Sequence, residues 1–364
     1  MRQGKRGVVR PMERRDLEQV VAQYRTIGAG AARRPLDEVT TTLRQMMLEQ
    51  PSFGDDAPRS LVHEGRDGRI VGFMGVVPRR WQLGSRMLVG ATTTGFVVDA
   101  RHPDAMVSAL WLARRSIAQG QDFTFVDRPT PTVVKLFGLV GAEVLPGHGY
   151  DFRLPLRQHE VARMRLRERV RYRRWWPAVA PLDRVARRLA TALDARGPRP
   201  DDVSAVQLEP ATADTVLETR RSLATHYGPC LVDDAALSRW QFDYMASYRS
   251  RGEFRWLVAR AKGEAVGWML YYVRDDQPSE VTSVIALPRH KAAVVGALVR
   301  AAYDDGCTAL IGTAGAAMAH ELIDHGAVIE GADRIQVRSR DPEVMAAFRT
   351  NRALVTGLEG EVWV

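Results

Sequence analysis

The sequence predicts an α/β protein of two tandem domains, each a mixed, mostly antiparallel sheet flanked by helices. Three observations carry this expectation. The order of strand-like and helix-like segments in the first half recurs in the second. A chain of 364 residues exceeds one ordinary compact core and fits two of roughly 150 residues each. Between the halves lies a segment dense in arginine, closed by Gly197-Pro198-Arg199-Pro200, a run that breaks regular structure. The boundaries that follow are 1–156, 157–200 and 201–364.

In the first half, Gly7–Met12 reads as a short strand. Glu13–Ile27 reads as a helix, with Leu17, Val20, Val21 and Tyr24 at helical spacing, and Arg33–Gln50 as a second. Ser60–His63 and Ile70–Val77 are apolar and β-branched, and Arg66-Asp67-Gly68-Arg69 between them has turn chemistry, so they form a hairpin. Met87–Val98 is a further strand, and a helix begins at Pro103 with Met106, Leu110, Leu112 and Ile117. Phe123–Val126, Thr132–Val140, Ala142–Leu145 and Tyr150–Leu154 follow as strand, helix, strand and strand.

The second half repeats the order. Ala205–Leu208 is a strand, and Ala213–His226 and Asp233–Tyr248 are helices. Phe254–Ala259 and Ala265–Tyr272 form a hairpin around Lys262-Gly263-Glu264. Glu280–Leu287 is a strand, Lys291–Tyr303 a helix, Ala309–Thr313 a strand and Ala317–His325 a helix. Ile335–Ser339 and Glu361–Val364 are the last strands. The repeat lies in element order and not in residue identity. Between the halves, Arg157–Trp176 and Leu182–Arg196 are helical by composition, and Leu182, Val185, Leu189 and Leu193 mark one face of the latter.

Composition is that of a globular protein, 45% hydrophobic and 26% charged. No apolar run reaches the about 18 residues that a membrane span needs, and no apolar stretch follows the basic N-terminus, so a secretory signal is not expected. Cys230 and Cys307 stand far apart without metal-ligand spacing, which suits a reducing cytoplasm and predicts no bound metal. The net charge of +9 is concentrated. From Arg157 to Arg199 there are 13 arginines, no lysine and four acids, Glu160, Glu168, Asp183 and Asp194, which accounts for the whole excess. An anionic partner would meet this segment: tRNA, or an anionic membrane surface with Trp175 and Trp176 at hand. The alternative is a solvated helix pair bracing the two domains. The expected location is the cytoplasm, free or peripheral at the membrane.

The order β-α-α-β-β-β-α-β-α-β, met twice, resembles the GNAT (GCN5-related N-acetyltransferase) superfamily in tandem-domain form. The likeness covers most of residues 7–154 and 203–364. It implies a loop after the long strand, of pattern Arg/Gln-x-x-Gly-x-Gly/Ala, whose backbone N–H groups and helix start hold the pyrophosphate of CoA. It also implies a late helix whose tyrosine, four residues before a glycine, protonates the departing thiolate. In the first half, Pro103, Met106 and Ser108 take the Arg, Gly and Gly places, and bulky Met106 obstructs a close backbone approach to phosphate. In the second half, Arg289-His290-Lys291-Ala292-Ala293-Val294 precedes the equivalent helix, basic and small though without glycine. Phe137 and Leu322 replace the tyrosine before Gly141 and Gly326. Trp240-Gln241-Phe242-Asp243-Tyr244 is similar to an aromatic stretch of tandem GNAT proteins.

The resemblance implies an N-acyltransferase that moves an acyl group from acetyl-CoA or another acyl-CoA to a primary amine, on an amino sugar or a cell-envelope precursor. Such chemistry needs donor positioning, polarisation of the carbonyl and a base for the amine. Cofactor-binding candidates are Arg289, His290, Lys291, Ala292, Ala293 and Val294, with a solvated basic turn as the alternative. Glu280, on the long strand of the second half, is the first candidate base, against a plain strand-edge glutamate. His226, in His226-Tyr227-Gly228-Pro229, is the second, against a helix C-terminal residue before a glycine stop. Thr92, Thr93 and Thr94 fall on the corresponding strand of the first half, where β-propensity alone explains them. His102 in the loop is a candidate base or phosphate contact, against a surface loop histidine, and Asp127 and Arg128 end a strand facing the expected cleft, against a structural role in a rigid turn. One alternative keeps the fold and changes the donor to aminoacyl-tRNA, as in FemABX-like transferases. Another is a non-catalytic module on an anionic surface.

Overall fold

The computed structural model describes residues 7–27, 34–51, 54, 57–157, 205–232, 235–275 and 277–359. The first pass of elements is β1 (Val8–Pro11), α1 (Leu17–Ile27), α2 (Leu36–Leu48), β2 (Leu61–Glu64), β3 (Ile70–Leu83), β4 (Arg86–Val98), α3 (Ala105–Ser116), β5 (Phe123–Asp127), α4 (Pro131–Leu139) and β6 (Glu143–Pro155). The second is β7 (Gln207–Pro210), α5 (Ala213–Ala224), β8 (Cys230–Leu231), α6 (Ala235–Ala246), β9 (Glu253–Ala261), β10 (Glu264–Val273), β11 (Ser279–Ala286), α7 (Lys291–Asp304), β12 (Ala309–Gly315), α8 (Ala316–Asp324) and β13 (Val328–Ser339). The expected order is therefore present twice, with β8 added in the second pass and α9 (Pro342–Arg349) after it.

Local chemistry explains the element ends. Thr212 and Thr215 form a reciprocal capping box at the start of α5. Thr130 caps α4, with Pro131 in the first turn, so Pro129-Thr130-Pro131 is a helix start. Asp341 accepts from the backbone N–H groups of Glu343 and Val344 and begins α9. β3 continues past Pro78 to Leu83, beyond the expected Val77. Its pairing with β2 ends at Met74, so the N–H that proline lacks is not needed by that neighbour. One strand, β6, runs through Pro146 and Gly147, where two were expected.

Two compact units result, and they interleave along the chain. The first comprises Met1–Gly149, Thr212–Ser250 and Ala332–Val364, and the second Tyr150–Ala211 and Arg251–Gly331. The division drawn at 156 and 201 follows the repeat of elements. The compact units differ from it because α5, β8, α6 and the stretch from Ala332 onward pack into the first unit. The arginine-rich segment beyond Arg157, and the strand expected at Glu361–Val364, lie outside the described residues.

In the first unit the sheet runs β1-β2-β3-β4-β5-β13, and β8 pairs with β3 at Trp81 and Gln82. Its pairs are antiparallel except β4 with β5. One face buries Trp81 against Phe123 with ring centroids 5.3 Å apart, and Phe123 meets Phe348 of α9 at 5.3 Å, both edge to face. Gly90 is required there, since a Cβ would lie 2.6 Å from the Trp81 indole nitrogen. The other cluster joins Leu61, Met74, Val76 and Ala91 to Leu112 of α3 and Leu136 and Phe137 of α4. The second unit runs β6-β12-β11-β10-β9-β7; β11 and β12 are parallel, and β11–β10, β10–β9 and β9–β7 are antiparallel. Val294, Val295 and Leu298 of α7 are fully buried. Among the described residues no helix is long and apolar enough to cross a membrane.

Candidate functional site

Each unit contains a parallel strand pair, β4 with β5 in the first and β11 with β12 in the second, and in each the register stops before the longer strand ends. In the second unit β11 pairs with β12 over Ser279–Leu310, Glu280–Ile311 and Val281–Gly312, and there the register ends. β11 goes on to Ala286 alongside β10 alone. In the first unit β4 pairs with β5 over Gly90–Phe123, Ala91–Thr124 and Thr92–Phe125, while β4 continues to Val98 alongside β3. Both long strands also bulge near the parting. The shift between Phe73 and Gly75 puts the extra residue on β4, and the shift between Leu270 and Tyr271 puts it on β11. Main-chain groups on the open side of such a seam can bind an extended ligand, and bulges re-aim side chains there.

A helix start follows each seam, and the two differ in charge. In the second unit β11 leads through one 3-10 turn, Pro288–His290, into α7, whose start has no side-chain cap. The N–H groups of Lys291, Ala292 and Ala293 have no partner within the helix, and the positive end of its dipole lies there. Arg289 is exposed, and its Nε donates to His290 Nε2 at 3.1 Å. Burial, reinforced by the Arg289 charge, pushes the His290 imidazole below its ordinary value and favours the neutral ring. Ala292 is exposed, whereas Val294 is fully buried and packs the helix onto its unit. Lys291 and Ala293 are half-buried. The six expected cofactor residues thus form one continuous basic helix start.

In the first unit the equivalent loop is partly acidic. Asp99 accepts from Arg101 at 3.1 Å, and hydrogen bonds from the Arg101 backbone and side chain hold its carboxyl below the ordinary value. His102 Nδ1 accepts from the Asp104 N–H at 3.1 Å, so this histidine caps its own turn. Asp104 takes the N-cap position of α3 without a side-chain cap bond, and a carboxylate there competes with any phosphate. Met106 points into solvent at 76% exposure, while Ser108 is buried against Gly72. Arg128 takes a left-handed conformation, φ 47°, in the turn after β5.

The expected bases fall elsewhere. Glu280 lies at the closed end of the second seam, paired with Ile311, and its carboxylate is ion-paired with Arg251 at 3.1 Å and with Arg274. His226 is exposed beyond the C-terminal end of α5 in the first unit, where its Nδ1 shares a 2.7 Å hydrogen bond with Thr225. The two are not brought together within one unit. Phe137 and Leu322, at the tyrosine places, are both core residues. Trp240 stacks on Tyr244, whose hydroxyl reaches Met46 Sδ at 3.1 Å, which is scaffold packing of α6 on α2.

Two groups of residues were missed. In the second unit Asp151 on β6 accepts from Thr313 Oγ1 at 2.8 Å, and Thr313 is the first residue of β12 beyond its last pair with β11. The sequence reading placed Asp151 in a strand of the first half and gave no sign that this strand lies beside β12. In the first unit a buried polar network surrounds the C-terminal turn. Gln241 Oε1 accepts from Arg79 at 3.0 Å and from Arg220, and Gln241 Nε2 donates to the Leu358 carbonyl at 3.2 Å. Thr92 Oγ1 donates to the Glu359 carbonyl at 2.8 Å. Burial pushes the Glu359 carboxyl up, against hydrogen bonds from Thr356 and the nearby charges of Arg220 and Arg79. No local spacing announces this network. Among the described residues no cluster of His, Cys, Asp or Glu could hold a metal ion.

No protein-family model matches the chain, and no curated protein is similar to it in sequence. Solved structures do share its fold. A GCN5-related N-acetyltransferase from Anabaena variabilis superposes with a TM-score of 0.60 at 11% identity, over 92% of this chain and 73% of that one. A conserved protein from Enterococcus faecalis described as a probable N-acyltransferase gives 0.58 at 9% identity, over 94% and 74%. A GCN5-related N-acetyltransferase from Kribbella flavida gives 0.56 at 15% identity, over 93% and 73%. Twice-repeated element order, two parting parallel pairs and these superpositions lead to one conclusion: the fold of this chain is that of the GCN5-related N-acetyltransferases.

Proposed function

We propose that the chain is an N-acyltransferase that moves an acyl group from acyl-CoA to a primary amine, and that the second unit holds the donor. The observation that carries this reading is the parting of β11 from β12 after Val281 and Gly312, followed by the uncapped basic start of α7. Arg289 and Lys291 would meet the CoA phosphates, with the N–H groups of Ala292 and Ala293 beneath them and Val294 anchoring the helix start in the core. Neutral His290 would serve as a hydrogen-bond partner. The acyl chain and its thioester would lie along the open side of β11.

The reaction joins the amine nitrogen to the carbonyl carbon. The carbon–sulfur bond breaks, its electron pair leaves on sulfur, and the nitrogen gives up a proton. Asp151, one strand away from the seam and oriented by Thr313, is the proposed acceptor of that proton. Glu280, committed to Arg251 and Arg274, would instead brace the closed end of the seam. The basic helix start supports the donor site here; the acids Asp99 and Asp104 argue against one in the first unit. The acceptor amine is proposed to belong to an amino sugar or a cell-envelope precursor.

Titration calorimetry tests the donor site. Wild-type protein is expected to release or absorb heat with CoA and with acetyl-CoA, and Arg289→Glu is expected to abolish the signal. Heat from neither ligand would refute the reading. Where turnover of an amine is found, Asp151→Asn is expected to lower kcat by about 100-fold or more while KM stays nearly constant.

A further inference from the structure

Thr282 occupies the one point of β11 that no strand holds. Val281 before it is the last residue paired with β12. On the other side Val281 pairs with Tyr271 and Ser283 with Leu270, so Thr282 is the extra residue of the bulge. It has no register partner on either neighbour. Yet its side chain is only 2% exposed, and its hydroxyl has no hydrogen-bond partner among the described residues. The adjacent hydroxyl is satisfied: Ser283 Oγ accepts from Trp268 Nε1 at 3.0 Å. A buried hydroxyl left without a partner is costly and calls for an explanation.

The first seam repeats the hydroxyl's position but not the bulge, since Thr93 pairs with Val76 on β3. Thr93 directly follows Thr92, the last residue of β4 paired with β5. It is 1% exposed, and its hydroxyl also lacks a partner among the described residues. Two strands with little residue identity thus place an unsatisfied threonine hydroxyl at the same step of the fold, the first beyond the parallel pair. β-Propensity accounts for threonine in a strand, but not for its hydroxyl being dry and unpaired at this step twice over.

We propose that the Thr282 hydroxyl donates a hydrogen bond to the acyl carbonyl oxygen of the donor in the second seam, so that it distinguishes acyl-CoA from free CoA. This rests on the donor site placed above in the second unit. As the amine attacks, the carbonyl oxygen gains negative charge and the hydrogen bond strengthens; the threonine keeps its proton throughout. When the carbon–sulfur bond breaks, the oxygen returns to a neutral amide carbonyl.

The test compares two ligands that differ by the carbonyl. Acetyl-CoA and CoA are titrated into wild type, Thr282→Val and Thr282→Ser. The valine variant is expected to bind acetyl-CoA about three- to tenfold more weakly and CoA within about twofold of wild type, with serine restoring acetyl-CoA binding. The ligand-free valine variant is expected to melt at or above the wild-type Tm, because an unsatisfied buried hydroxyl has been removed. Equal weakening for both ligands, no weakening for either, or a lowered Tm would each overturn the assignment. If wild type binds and valine changes nothing, this inference alone fails. If wild type binds neither ligand, the donor site itself fails and takes the inference with it.

Discussion

Gln241 is the residue that joins the first unit's three chain segments in one hydrogen-bonded group. Its carbonyl oxygen accepts from Arg79 on β3 and Arg220 on α5, and its amide donates to Leu358 near the C-terminal end. Arg79 and Arg220 are 1% and 0% exposed, so each guanidinium depends on protein acceptors in place of water. Gln241→Leu keeps the volume and deletes the shared acceptor, and is expected to destabilise the protein by roughly 3 kcal/mol in urea unfolding. Gln241→Glu keeps an acceptor between two positive charges and is expected to cost less. Equal stability of the leucine variant and wild type would show that the network contributes nothing to folding. None of this was legible beforehand. Gln241 stands in an aromatic helix stretch and Arg79 in a strand, 162 residues apart, and arginine is ordinarily a surface residue. Only the tertiary fold supplies the acceptors that make its burial tolerable.

At the scale of elements, the seam rests on one glycine. Gly312 pairs with Val281 at the last step before β11 and β12 part, and a Cβ there would collide with the Val281 carbonyl oxygen. Gly312→Ala must therefore push the strands apart at their final contact, and it is expected to cost about 1–3 kcal/mol. Gly138→Ala is the matched control. It lies within α4 with open space around its would-be Cβ, and is expected to be neutral or to stabilise by about 0.5–1 kcal/mol. Denaturant unfolding that showed the two variants alike would refute the role of close approach. The strand and the helix start were readable, because β-branched residues take every place of Val281–Ile285 except Ser283, and Pro288 precedes a run of good helix formers. The parting was not, because it depends on where the register with a distant strand stops. A glycine inside the short run Ala309–Gly315 was the visible sign of close backbone approach. Helix α9 also had a local signal, Asp341-Pro342-Glu343, an N-cap followed by a first-turn proline.

For the whole molecule, a twice-repeated element order and the division into compact units are different things, and the core of the first unit shows why. Of the 15 buried residues in its aromatic cluster, eight come from beyond residue 331: Ile335, Val337, Val344, Met345, Ala347, Phe348, Ala353 and Val355. Leu231 of β8 is a ninth from outside residues 1–156. β5 loses its antiparallel neighbour if β13 is absent, since Phe123–Asp127 pairs with Ile335–Ser339. The turn at Gly228 and Pro229 loses its hydrogen bonds to Arg352 and Leu354 in the same way. Periodicity along the chain could reveal the repeat, because each element carries its own apolar pattern. It could not reveal that the last elements close the first core, because their apolar faces look alike whichever core receives them. A fragment of residues 1–156 is therefore expected not to fold by itself, despite containing one full pass of the element order. Differential scanning calorimetry and near-ultraviolet circular dichroism should find no cooperative transition and no fixed aromatic environment in the fragment, and both in the full chain. A fragment that melts cooperatively with native aromatic signal would mean that the residues beyond 331 decorate the first core without completing it.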